Sequence, residues 1–197
     1  MKVFISLVFL FSFVFASENF ENIKKPYFKS YDYEQMGRYT EAIKVLSPLY
    51  KKYPKGYTLN LRFGWLFYLD KKYNNALEYY KKASLINTYS IDPKLGMIRI
   101  YLDTYDFKKA ETISYELLKL DYYNYYANLY VIKALIAQKK YDIALSINSK
   151  MLALYPTDIS FLEELAVIYK NTDSKYLKKL YEDILILDPN NVFVRSK

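Results

Sequence analysis

From residue 26 onward, apolar side chains recur at spacings of three and four with short polar breaks between them. Ala42, Leu46, Leu49 and Tyr53, for example, fall on one face of a helix. No stretch alternates apolar and polar residues with period two, so strands are not expected. The pattern predicts ten helices, over 27–36, 40–53, 57–69, 74–87, 93–104, 107–120, 125–138, 142–154, 159–170 and 174–187. Turns of two to five residues join them, which makes neighbours antiparallel. Pro26 suits the first turn of the first helix, where its missing N–H costs nothing. Thr40, Asp92 and Asp158 stand where caps are expected. Pro48 falls inside the second helix, where a kink is expected.

The helices share a beat of the form aromatic-x-x-Ala. It reads Tyr39 to Ala42, Tyr73 to Ala76, Phe107 to Ala110 and Tyr141 to Ala144, and each alanine follows the last by 34 residues. A period of that length marks stacked helical hairpins, each too small to bury its own apolar face. The alanine lets two helices approach closely, and the aromatic fills the gap toward the next hairpin. In a fifth pair the beat is degraded, with Leu177 in the alanine slot after the loss of one residue. Val192, Phe193 and Val194 are expected to cover the open end.

On these residues the chain resembles the tetratricopeptide repeat (TPR) family over about residues 23–190. Gly64, Phe67, Tyr73, Ala76, Tyr80 and Ala83 fall at the family's spacing, as do Pro54 and Pro156, each 12 residues after its alanine. Ile98 and Ile132 depart from it, standing where the family prefers a small residue; so do Leu177 and Pro48. The resemblance implies an all-α, right-handed α-solenoid of about five antiparallel helix pairs over 26–190, with a tail at 191–197. It also implies a concave groove, lined by the first helix of each pair, that holds a peptide or a partner protein. Laid on this sequence, the repeat frame points Tyr31, Trp65, Arg99 and Lys133 inward, with Tyr27, Leu61, Leu95 and Leu129 beside them and Tyr68, Leu102, Asp103 and Ile136 at the other lip. The candidate partner-binding residues are therefore Tyr27, Tyr31, Trp65, Tyr68, Arg99 and Lys133. Trp65 is the single tryptophan, and Trp and Arg are enriched at binding hot spots. Arg99 and Lys133 would grip a carboxylate or phosphate. The alternative is that Tyr31 and Trp65 pack within the stack and the two cations are merely solvated. The carboxylate clamp of the chaperone-binding branch is not matched: Asn60 and Arg62 are its nearest counterparts, but Tyr27 and Tyr31 replace the polar groups upstream.

Composition narrows the function classes. The chain of 197 residues has no cysteine and no histidine, which removes disulfides, Cys/His zinc sites, thiol nucleophiles and imidazole-based triads. The acidic pairs Glu163-Glu164 and Glu182-Asp183 read as surface charges that diverge around their helices, so a two-carboxylate catalytic pair is not expected. No catalytic residue, cofactor or metal is expected. The formal charge of +8 favours acidic partners, while the lack of a long Lys/Arg run argues against nucleic acid. Tyrosine is the outlier at 25 copies, and in the cluster 122–130 Tyr126 and Tyr130 share one helical face, which places part of the cluster in the core. At the N-terminus, Lys2, the apolar run 3–15 and Ala16 form the three parts of a secretory signal peptide, followed by a polar leader over 17–25. The apolar run is too short to span a bilayer, so cleavage after Ala16 with no stable anchor is expected, lowering the formal charge to +7. The composite expectation is a non-enzymatic interaction scaffold of the cell envelope, periplasmic or extracellular. The competing expectation is binding of an acidic polysaccharide or other polyanion in an export system.

Overall fold

The computed structural model describes residues 20–196, so the expected signal segment 1–16 lies outside the described residues. Within them the chain is all-α, with eleven helices and no strand. It divides into two compact units, up to Tyr89 and from Ser90.

The first unit holds α1 (residues 20–35), α2 (Tyr39–Lys52), α3 (Tyr57–Leu69) and α4 (Tyr73–Ile86). Residues 20–25 are already helical, so Pro26 lies inside α1 rather than opening it, and the polar stretch becomes helix from residue 20. The core joins Ala42, Leu46 and Leu49 of α2 to Leu59, Phe63 and Leu66 of α3. Phe63, Phe67 and Tyr79 stack beside it at centroid distances of 4.9 and 5.3 Å. Pro48 lies inside α2, as expected, on its exposed side.

The second unit runs through α5 (Asp92–Asp103), α6 (Phe107–Leu118), α7 (Tyr125–Ala137), α8 (Tyr141–Leu154), α9 (Ile159–Asn171), α10 (Leu177–Leu187) and α11 (Val192–Arg195). Its larger core is built on α5 to α9 around Ile98, Leu117, Ile132, Leu135, Met151 and Phe161. A smaller cluster of Leu162, Ala166, Leu180 and Ile184 is covered by Val194 of α11, whose turn is capped by Asn191.

The beat has a direct structural meaning. Its aromatics Tyr39, Tyr73, Phe107 and Tyr141 are the first residues of α2, α4, α6 and α8. Its alanines Ala42, Ala76, Ala110 and Ala144 are completely buried. The turn before each of these helices carries a residue with positive φ: Gly37, Lys71, Tyr105, Lys139 and, before α10, Asp173. These five are also 34 apart, so the residue lost from the fifth repeat is lost after Asp173. At the first four, two backbone bonds close the preceding helix, such as Arg38 N–H to Tyr33 O at 2.8 Å and Gly37 N–H to Glu34 O at 2.8 Å. That is the Schellman closure, which satisfies carbonyls a helix end otherwise strands.

Two expected caps are corrected. Thr40 does not cap α2; the cap is Arg38, and the Thr40 hydroxyl donates to Asp70 Oδ2 at 3.3 Å. Asp92 is the first residue of α5, with Ile91 at the cap and Pro93 in the first turn. Asp158 caps α9 as expected, accepting from Phe161 N–H at 3.2 Å.

The departures at Ile98 and Ile132 have a packing reason. A Cβ on Gly64 would lie 2.6 Å from the buried ring of Tyr80, so α3 and α4 touch with nothing between them but that ring. One repeat later the sizes are exchanged: Ile98 corresponds to Gly64 and Ser114 to Tyr80. Ile132 and Asn148 repeat the exchange, and all four are completely buried. Close packing asks for a constant total volume across the helix pair, and a large residue on either helix supplies it.

Candidate functional site

In the first unit, α1 and α3 bring three of the expected residues into one cluster. Tyr31 and Glu34 on α1, and Arg62, Trp65 and Tyr68 on α3, are each three apart, so each set lines one face. The Arg62 guanidinium is buried. It donates to Glu34 Oε2 through Nη1 and to Ser30 Oγ through Nε and Nη2, at 3.3 and 3.2 Å. The exposed Tyr31 ring covers it, with the guanidinium carbon 3.9 Å from the ring centroid. The other oxygen of Glu34 accepts from Trp65 Nε1 at 2.6 Å. Trp65 in turn stacks on Tyr68 at 5.6 Å and 30°. One carboxylate thus fixes both a cation and an indole, and the three rings form an aromatic surface held from beneath by an ion pair.

Tyr27 belongs elsewhere. It is half-buried against the core, its hydroxyl 3.2 Å from Thr58 Oγ1, and burial pushes its pKa up. The placement of Tyr31 and Trp65 combines both alternatives: they are tied into the unit, yet Tyr31 stays exposed and Trp65 partly so. Sequence reasoning passed over Glu34 and Ser30 and met Arg62 only as a failed clamp residue. A glutamate four residues before Arg38 carries no signal until α1 and α3 are paired. Asn60, the other residue of the rejected clamp, is buried and donates to the carbonyls of Pro54 and Gly56, both at 2.9 Å.

In the second unit both expected cations are paired within the fold, so the solvated alternative does not hold. Arg99 of α5 donates to Tyr130 Oη on α7 at 3.3 and 3.1 Å. Lys133 of α7 is bonded to Glu164 of α9 at 2.9 Å. Glu164 is therefore not a surface charge: it is largely buried, and burial raises its pKa against the opposing pull of Lys133. Part of the 122–130 cluster is core, as expected: Tyr125 and Tyr130 pack against it, while Tyr126, its ring 6.1 Å from that of Tyr130, is exposed. The surface here is Arg99, Tyr130, Tyr126 and Lys133, polar and already cross-linked.

One rule covers both units. Glu34 to Trp65, Arg99 to Tyr130 and Lys133 to Glu164 are each separated by 31 residues, and each joins the first helices of successive pairs. Among the described residues no cluster of carboxylates able to hold a metal occurs, and no helix is long and apolar enough to cross a membrane.

No protein-family model matches the sequence, and no curated protein matches it either. Solved structures do. YrrB, whose structure is described as that of a TPR protein with an unusual peptide-binding site, is similar at a TM-score of 0.68 and 13% identity, over 91% of this chain and 93% of its own. A TPR protein from Parabacteroides merdae gives a TM-score of 0.78 at 18% identity, over 89% of this chain and 70% of its own. A thermophilic TPR protein from Thermus thermophilus gives 0.68 at 15%, over 88% and 95%. The chain therefore has the tetratricopeptide repeat fold, an all-α solenoid of successive helix pairs.

Proposed function

We propose that this chain is a non-enzymatic interaction scaffold that binds a peptide or a partner protein on the faces of its first helices. The observation that carries this reading is the ring surface of Tyr31, Trp65 and Tyr68. Glu34 fixes Arg62 and Trp65, against which Tyr31 and Tyr68 lie, and rigid aromatic surfaces of this kind are the ones that bind with little loss of side-chain entropy. Peptide binding by YrrB, a protein of the same fold, is consistent with it. The candidate contacts are Tyr31, Trp65 and Tyr68 in the first unit, without Tyr27, which packs against the core, and with Arg99 and Lys133 contributing in the second unit. We further propose that the chain is exported, cleaved after Ala16, and works in the cell envelope. The polyanion alternative draws less support, because Lys133 already answers the charge of Glu164.

The test is capture from an envelope fraction on the wild-type chain and on Tyr31→Ala and Trp65→Ala, with circular dichroism to show that both variants fold. The reading expects a discrete partner on the wild type, depleted on both variants, and a bait recovered from cells that begins at Ser17. Recovery of the same proteins on all three would sink the scaffold reading, and a retained Met1 would sink the export reading.

A further inference from the structure

The second unit carries a cavity whose lining includes none of Arg99, Tyr126, Tyr130 and Lys133. Its volume is about 590 Å³, within the roughly 300–1,000 Å³ typical of small-molecule sites. It is lined by Tyr115 and Leu118 of α6, Tyr122 of the following turn, and Ile143, Ile147 and Lys150 of α8. The walls are mostly apolar. Lys150 and the exposed Lys119 also line it, and no carboxylate does.

The Lys150 ammonium is positioned by groups that cannot neutralise it. It donates to Asn128 Oδ1 at 2.7 Å, lies 3.9 Å from the centroid of the Tyr122 ring and is 3.5 Å from Tyr122 O. Asn128 is itself completely buried and locked, its amide donating to Tyr122 O at 3.0 Å and Asn124 O at 2.8 Å. That leaves its oxygen pointing at Lys150. No ion pair forms at Lys150 among the described residues, and burial lowers its pKa, the sign of a cation short of a counter-charge. A compact ammonium at an apolar cavity matches one acidic group at the end of an apolar body. A phosphate carries close to two charges, and Lys150, the one ammonium fixed in place here, balances the single charge of a carboxylate.

We propose that this cavity binds a monocarboxylate with an apolar body, the carboxylate on Lys150 and the body against Leu118, Ile143 and Ile147. The ligand is either a free acid or the C-terminal residue of a peptide, since both present that chemistry. The site is independent of the Tyr31–Trp65 surface, and either can fail alone.

The probes are decanoate, its neutral counterpart decanol, and a short peptide ending in leucine as free acid or as amide, titrated calorimetrically against the full chain. One equivalent of decanoate or of the acid peptide should bind, and the tighter of the two identifies the source. The corresponding alcohol or amide should bind at least about tenfold more weakly. Lys150→Met should cost a similar factor. Ile143→Glu, at a half-exposed position that tolerates a polar residue, should compete for Lys150 and abolish binding. Equal affinity for decanoate and decanol, undiminished binding to Lys150→Met, or no binding of either acid would overturn the proposal.

Discussion

Gly64 is the residue whose substitution reads the packing most directly. Alanine is favoured over glycine in a helix by about 1 kcal/mol. Against that, its Cβ would sit 2.6 Å from Tyr80 Cδ1, and the ring, only 3% exposed, has nowhere to swing. Overpacking of this kind costs about 1–3 kcal/mol, so the clash outweighs the propensity. Gly64→Ala should lower stability by up to about 2 kcal/mol in denaturant unfolding, and a Tyr80→Leu background should remove most of that loss. Glu164 makes the second residue-scale prediction. Burial, opposed by Lys133, raises its pKa in the folded chain. For an acid raised in this way, ionisation costs stability: the cost is complete above the folded pKa and absent below the ordinary carboxylate range. Glu164→Gln should therefore unfold at a higher temperature than the wild type near neutral pH, and the advantage should shrink as pH falls through the window just above the ordinary value. An advantage that is constant with pH would contradict the assignment of the effect to the buried charge.

At the scale of elements, the five turns with positive φ offer a matched comparison. Gly37 adopts φ +69 with open space around a would-be Cβ, so Gly37→Ala isolates backbone strain and should cost about 1 kcal/mol. Lys139, at φ 60 in the equivalent turn, bears that strain already, and Lys139→Gly should gain a few tenths to about 1 kcal/mol. Thermal unfolding reads both, and equal signs would refute the equivalence of the turns. These turns also show what was legible in the sequence. The 34-residue beat is carried by residue type, because a completely buried contact tolerates only alanine, and it predicted the helix pairs, with α3 at its observed bounds. The turns are carried by backbone geometry, which Gly37 advertises but Lys71, Tyr105, Lys139 and Asp173 do not. The exchange of sizes from Gly64 and Tyr80 to Ile98 and Ser114 looked like a departure because its two halves lie 16 residues apart. The links from Glu34 to Trp65 and from Lys133 to Glu164 were hidden for a similar reason. The frame lists residues that point the same way, and says nothing of what each meets on the next helix.

For the whole molecule, the account is that the helix pairs exist to hold something, with the aromatic surface of the first unit as its point of attachment. The fold supplies the scaffold and leaves the partner to side-chain chemistry, since one architecture hosts many functions. Tyr31 is the residue to ask, because it is exposed and caps the buried Arg62 without contributing to the core. Leu85, more exposed still and on α4, is the matched control. A photo-crosslinking amino acid placed at each position in living cells compares the two surfaces under one exposure. The account predicts a discrete adduct of one partner from position 31 and none of that adduct from position 85. Identical adduct patterns from the two positions would contradict it.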